Sequence, residues 1–350
     1  MVGRFTFAVP GDLATPTGGY AYDRRMIAEL GELGWQIDLL DLGDGFPWPS
    51  EARRIAAVAQ LLATPAGRIV VVDGLALGVM PEAAMRLADR NPLLALVHHP
   101  LALEWGISLE QAAALLASER AALAAVRGVV VTSAATARLV ASDYAVPAER
   151  ITVARPGSDP APLAHGSRND VVQLLSVGAV VPRKGFDVLI AALATLTDLP
   201  WRLTIAGDRT RDPTAAAQLD TDIARHGLEN RIAAPGAVSP QRLAALYAEA
   251  DMFVLASRFE GYGMAYAEAI AHGLPVIGTN AGAIPDTVPP DAGLLVAPGD
   301  VTALADALRR VIGDDVLRRR FAGAARLAAA QLPSWRHSAE IFARALEMLA

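Results

Sequence analysis

Met252-Phe253-Val254-Leu255-Ala256-Ser257-Arg258-Phe259-Glu260-Gly261-Tyr262-Gly263-Met264-Ala265-Tyr266-Ala267-Glu268 changes character twice along its length. Its apolar opening, Met252 to Leu255, has the size and continuity of a strand buried on both faces. From Gly263 onward, Ala and Met at helix-forming density predict a helix. Strand, glycine-spaced turn and helix in that order make the repeating half of a parallel α/β sheet. The turn also carries chemistry, because Glu260 precedes the helix and Glu268 falls about a turn and a half inside it. Between them lie first-turn N–H groups without helical partners, which favour an anion. A carboxylate capping the helix would account for Glu260 as well, and the two roles are compatible. Acceptor-only side chains around N–H donors suit a ligand bearing both phosphates and sugar hydroxyls.

The same strand–loop–helix unit recurs on both sides of this stretch. Upstream, Phe5 to Val9 leads through Gly11 to a Gly18-Gly19 turn and a helix from about Tyr20 to Leu33. Strands are predicted at Gln36 to Leu40, Arg68 to Val72, Leu93 to Val97, Val129 to Thr132 and Ile151 to Val153, with an Ala/Leu helix over about Leu109 to Val126. Arg155 to Asp170, with three prolines, two glycines and little apolar content, reads as a linker. A second series follows: strands at Val171 to Val177, Trp201 to Ile205, around Ile232, at Pro275 to Gly278 and at Leu294 to Val296, with helices from Phe186, Pro213, Ser239 and Val301. The expected fold is therefore α/β, two parallel sheets each flanked by helices. The domains run 1–160 and 161–333, with a helix at 334–350 returning to the first. Ligands of such sheets bind beyond the carboxyl ends of the strands, where every glycine-rich turn falls, and two such domains facing each other form a cleft.

One cation stands out. Of 31 Lys plus Arg, 30 are arginine, and the single lysine is Lys184, in Ser176-Val177-Gly178-Ala179-Val180-Val181-Pro182-Arg183-Lys184-Gly185. A compact ammonium with three rotatable donors after a strand suits a clustered pyrophosphate. The net charge of −6 argues against a general nucleic-acid binder. The absence of cysteine excludes disulfides, thiolate catalysis and Cys-ligated zinc. No signal-like segment opens the chain and no apolar span reaches membrane length, so cytoplasmic residence is expected. No Asp-x-Asp at a strand end and no helical His pair points to a metal. Arg24-Arg25, Arg309-Arg310 and Arg318-Arg319-Arg320 read as solvated helix faces, Arg24 or Arg25 being an alternative site for an anionic acceptor or lipid surface.

Taken together, these segments resemble the family-4 retaining glycosyltransferases of the GT-B architecture, two facing Rossmann-like domains. The likeness covers essentially the whole chain and is strongest from Val172 to Asp300. Its leading motif is the Glu260/Glu268 pair inside Glu-Gly-Tyr-Gly-Met; Pro182-Arg183-Lys184-Gly185, Ala206-Gly207-Asp208, Gly273-Leu274-Pro275-Val276 and Ala292-Gly293-Leu294-Leu295-Val296 support it. The resemblance implies that Glu260 contacts donor-hexose hydroxyls, that Gly261, Tyr262, Gly263 and Met264 line the sugar and phosphates, and that Glu268 binds the ribose diol. Lys184 with Arg183 would neutralise the diphosphate, and Gly178 and Gly207 would line the donor. Gly18 and Gly19 would form a loop close to the donor phosphate, and His98 would lie near the reacting sugar, with His99 as the alternative. Glu104 and Trp105 would line the acceptor side. The implied donor is a nucleoside-diphosphate sugar, UDP by preference, with no essential metal or other cofactor. The acceptor, a glycan, lipid or small molecule, stays open, and a lipid-linked acceptor would bring peripheral contact with the inner face of a membrane.

Two positions depart from the pattern. Ala179 stands where relatives often carry an arginine, leaving Arg183 to supply that charge, and Arg209 replaces a second glycine after Gly207-Asp208. Alternatives on the same fold are a phosphorylase or epimerase, or a non-catalytic nucleotide-sugar-binding scaffold. A pyridoxal-phosphate phosphorylase would need a further lysine that the chain lacks, and a dinucleotide oxidoreductase would need Gly-x-Gly-x-x-Gly after the first strand.

Overall fold

The computed structural model describes residues 3–167 and 170–349. Residues 168 and 169 of the expected linker, and residue 350 of the expected terminal helix, lie outside the described residues. Contacts divide the chain into two compact units: the first runs to Gly157 and takes up the chain again from Pro333, and the second is Ser158–Leu332.

The first unit is built on a six-stranded sheet with β1 (Arg4–Val9), β2 (Gln36–Asp41), β3 (Ile69–Asp73), β4 (Leu93–Val97), β5 (Gly128–Val131) and β6 (Ile151–Val153) in the order β2-β1-β3-β4-β5-β6. Every described pairing is parallel. Central strands β3 and β4 are buried at every position and read as apolar runs, Ile69 to Val72 before Asp73 and Leu93 to Val97. Edge strand β2 instead mixes Gln36 and Asp38 with its apolar residues and stays partly exposed, as a strand with one neighbour can. The helix Gly18–Glu32 follows β1, and its Tyr22, Met26 and Leu30 form the buried stripe. The terminal helix Trp335–Glu347 belongs to this unit, with Tyr22 and Trp335 ring centroids 6.0 Å apart. Gly157 makes room for it: a Cβ there would come within 2.3 Å of the Trp335 nitrogen.

The second unit repeats the plan with β7 (Val172–Val177), β8 (Trp201–Ala206), β9 (Ile232–Gly236), β10 (Met252–Val254), β11 (Val276–Thr279) and β12 (Gly293–Val296), ordered β12-β11-β10-β7-β8-β9. All described pairings are again parallel. From β7 the chain winds outward in one direction, and from β10 in the other. The neighbours β7 and β10 therefore mark the switch point, where loops diverge and leave a crevice beyond the strand ends. Among the described residues, no helix is long and apolar enough to cross a membrane.

Candidate active site

The loops leaving β7 and β10 meet at that crevice. After β7, Gly178 begins the loop, and a Cβ there would come within 3.2 Å of the Lys184 stem. Gly185, at φ +66°, then turns the chain into the helix Phe186–Ala194, and a side chain there would strike the Ala256 carbonyl at 2.0 Å. The two loops thus pack backbone to backbone. Arg258 N donates to the Arg183 carbonyl at 2.8 Å, and the Arg258 guanidinium grips Asp187 through bonds of 2.9 and 2.6 Å.

Glu260 sits at the junction, 6% exposed. Its Oε1 accepts from Lys184 Nζ at 2.6 Å and from Ser257 Oγ at 2.7 Å, and its Oε2 accepts from Arg183 at 3.2 Å. Arg183 also donates to the Phe259 carbonyl at 2.8 Å. Burial alone would raise the Glu260 carboxyl, but the charges of Lys184 and Arg183 and the hydrogen bonds from Lys184 and Ser257 outweigh it and hold it down at about 2. Burial draws the Lys184 ammonium below its ordinary value against the pull of Glu260. The result is a buried, ionised cluster with two cations to one carboxylate.

Gly263, at φ +88°, precedes the helix Met264–Ala271, whose first-turn N–H groups have no side-chain cap. Glu268, in that helix, accepts from the Tyr247 hydroxyl at 2.8 Å through Oε2. Burial raises its carboxyl, while the Tyr247 bond and the Lys184 charge oppose the rise. The Lys184 charge thus opposes the burial penalty at both glutamates. Tyr247 is in turn stacked on His272, centroids 4.6 Å apart. Gly207 lies against the start of the lysine loop, where a Cβ would come 1.8 Å from the Gly178 carbonyl oxygen. Tyr262 is buried, and its carbonyl accepts from Thr287 at 2.7 Å. Gly261 is also buried, and Met264 is half-buried.

In the first unit, Gly18 and Gly19 do not form a loop. They are the opening residues of the helix Gly18–Glu32, because Thr17 caps it by accepting from Tyr20 N at 3.2 Å. Gly19 lies against His98: a Cβ there would come 3.5 Å from the ring. His98 follows β4 and places Nε2 2.9 Å from Asp23 Oδ1 and 3.9 Å from Asp73 Oδ2. His99 faces Glu104 instead, at 3.8 Å, and Glu104 and Trp105 are exposed. His98 is thus placed against two buried carboxylates.

The two departures resolve differently. Arg183 is bound to Glu260 and the Phe259 carbonyl, beside Lys184 rather than at the Ala179 position. Arg209 turns away from the cluster, bonding Asp220 at 2.5 Å and the Ala234 carbonyl at 3.1 Å. Sequence reasoning missed Ser257, Tyr247, Asp23 and Asp73. Asp73 closes an apolar strand and Asp23 interrupts an apolar helical stripe, and both signals are visible in the chain.

Two parallel-sheet units of this kind define the GT-B class of glycosyltransferase folds. The protein is similar to the sucrose-phosphate synthase of Thermosynechococcus elongatus, with TM-score 0.82, 21% identity and 99% of each chain covered. It is also similar to Anabaena Alr3699/HepE solved with UDP-glucose, with TM-score 0.78, 21% identity, 98% of this chain and 99% of that one. At that identity the likeness speaks for the fold. Residues 161–328 match the family described as glycosyl transferases group 1. An MMP alpha-(1->4)-mannosyltransferase from Mycolicibacterium hassiacum is 28% identical over 339 residues, covering 89% of this chain and 79% of its own. A D-inositol 3-phosphate glycosyltransferase from a Nocardioides species is 33% identical over 264 residues, 68% of this chain and 57% of its own.

Proposed function

We propose that this protein is a retaining, metal-independent glycosyltransferase of the family-4 type. It moves a hexosyl unit from a nucleoside-diphosphate sugar, with UDP as the carrier, to a hydroxyl of a glycan, lipid or small molecule. The observation that carries this reading is the convergence of Lys184, Arg183 and Glu260 at the β7/β10 switch point, with the Lys184 charge also acting on Glu268. The mannosyltransferase relative supports a hexosyl donor, and the UDP-glucose in the Anabaena structure supports UDP.

When the sugar–phosphate bond breaks, negative charge grows on the departing diphosphate. Fixed donors aimed at that charge lower the barrier most. Lys184 has two N–H groups beyond the one given to Glu260, and the uncapped N–H groups at Met264 add their partial positive charge. Glu260 already accepts three hydrogen bonds of about four a carboxylate can take. It therefore chiefly holds the cations in place and has room for one donor-sugar hydroxyl. Glu268 binds the ribose diol with Oε1 while Tyr247 holds Oε2. His98 and the Gly18–Gly19 helix start serve the reacting sugar and phosphate, and Glu104 and Trp105 the acceptor. The acceptor oxygen forms the new glycosidic bond on the face the diphosphate leaves, and the diphosphate oxygen takes the acceptor proton.

Incubation with UDP-, GDP- and ADP-hexoses, with and without hydroxyl acceptors, tests the reading. Acceptor-dependent nucleoside-diphosphate release, insensitive to EDTA and giving a product of unchanged anomeric configuration, is expected. An inverted product, or no release from any donor, contradicts it.

A further inference from the structure

Asp23 is an unusual residue for its position. It lies on the core-facing side of the helix Gly18–Glu32, beside Tyr22, Met26 and Leu30, and is 0% exposed. Asp is a poor helix former, and a buried carboxylate is costly unless paired. Its Oδ1 meets His98 Nε2 at 2.9 Å, while Oδ2 is buried with no hydrogen-bond partner among the described residues. A protonated Asp73 is near enough to share a proton with the Asp23 carboxylate, since Asp23, Asp73 and His98 bring an oxygen or nitrogen each within 4.8 Å of one another. A ring nitrogen whose proton points at a carboxylate cannot also ligate a cation, so a proton network accounts for the cluster better than an ion does.

We propose that Asp23 is a positioning residue for His98: its Oδ1 accepts the Nε2–H hydrogen bond and stabilises the doubly protonated ring, whose Nδ1–H is then a hydrogen-bond donor to the bound substrate. The substrate part of this inference rests on the transferase reading; the Asp23–His98 coupling does not. Tyr22 holds the ring from another side, edge-on at 5.2 Å, its hydroxyl fixed by a 3.0 Å bond to the Ala154 carbonyl. Among the described residues, the charged or titratable groups placed against the ring are Asp23, Asp73 and Tyr22. The electrostatics agree. Burial works against the charged imidazole, but Asp23 and Asp73 overcome it and raise His98 to about 9. Burial and the Asp23 charge push Asp73 up to about 7. Near neutral pH the ring thus carries both protons, which suits a donor to an oxygen and rules against a base.

The experiment is a pH titration of the full-length protein labelled with ring-carbon-13 histidine, His98→Gln assigning one of its six histidine signals. In the wild type, His98 stays protonated at pH 8. In Asp23→Asn, which keeps the shape and removes the charge, the His98 proton affinity falls at least tenfold. In the transfer assay, Asp23→Asn lowers kcat more than tenfold with the donor KM within threefold, and the alkaline limb of the pH–rate profile moves to lower pH. A wild-type His98 that titrates at or below 6.5 overturns the proposal without any variant, as does an unchanged His98 titration or pH–rate profile in Asp23→Asn. If His98 behaves as expected while no nucleotide sugar supports transfer, the coupling stands and the transferase reading falls.

Discussion

Both oxygens of Glu260 are engaged before any sugar is considered, Oε1 by Lys184 and Ser257 and Oε2 by Arg183. The cations are thereby held at fixed points and need little reorganisation to meet a diphosphate. Ser257 is completely buried and its hydroxyl aims at Oε1, so Ser257→Ala should cost about 1 kcal/mol of stability. The same change should loosen Lys184 and weaken diphosphate binding, as chemical denaturation and calorimetry on the variant will measure. Lys184, Arg183 and both glutamates were legible in the sequence because each is rare in context or follows a strand. Ser257 and Tyr247 were not, because a serine or tyrosine acquires meaning only from what the fold sets opposite it. Asp23 was legible in principle: a carboxylate among Tyr22, Met26 and Leu30 breaks an apolar stripe.

Among the elements, glycines separate packing from chain freedom. A Cβ at Gly207 would collide with the Gly178 backbone oxygen at 1.8 Å, whereas one at Gly323, within the helix Asp315–Ala329, meets nothing within 4 Å. Gly207→Ala should therefore destabilise by about 1–3 kcal/mol and displace the lysine loop. Gly323→Ala should stabilise by about 0.5–1 kcal/mol through helix propensity alone. Thermal melts of the two variants should move in opposite directions. The buried strands were readable from unbroken apolar runs. The start of the helix Asp315–Ala329 was not, because Asp314-Asp315 reads equally as a turn ending the preceding helix. Asp314 in fact caps the new one, its side chain accepting from Leu317 N at 2.9 Å. Arg318 reaches back to the Val311 and Ile312 carbonyls, so part of the arginine run tethers two helices. The Gly18-Gly19 turn was misread for a related reason: glycines argue for a loop, but a Thr17 cap can start a helix on them.

At the scale of the molecule, the two units carry opposite pH sensitivities. In the first, folding raises His98 to about 9 and Asp73 and Glu119 each to about 7. Groups that bind protons more tightly when folded give an advantage that is complete below their unfolded values and is lost as pH rises through the folded ones. In the second unit, Glu260 is held at about 2, and its advantage is present above its ordinary 4.5 and lost as pH falls toward 2. Hydrogen-exchange mass spectrometry should find the first unit weakening progressively from about pH 4 to 9, as Asp73 and Glu119 and then His98 lose their protons, and the second weakening below about pH 4. Both units losing protection together at one end of the range would contradict this division. The doubly wound topology was legible as a repeated strand–loop–helix pattern. The switch point was not, because strand order is decided by pairings distant in sequence, such as Phe253 beside Leu175.

The central claim is that Lys184, anchored by Glu260, receives a nucleoside diphosphate through its phosphates. Isothermal titration of UDP and of uridine into the wild type and Lys184→Ala tests it most directly. A charge-assisted contact of about 1.5–3 kcal/mol predicts a loss of about ten- to hundredfold in UDP affinity, with uridine affinity unchanged within twofold. Equal UDP affinity in the two proteins, or a parallel loss for uridine, would contradict the account.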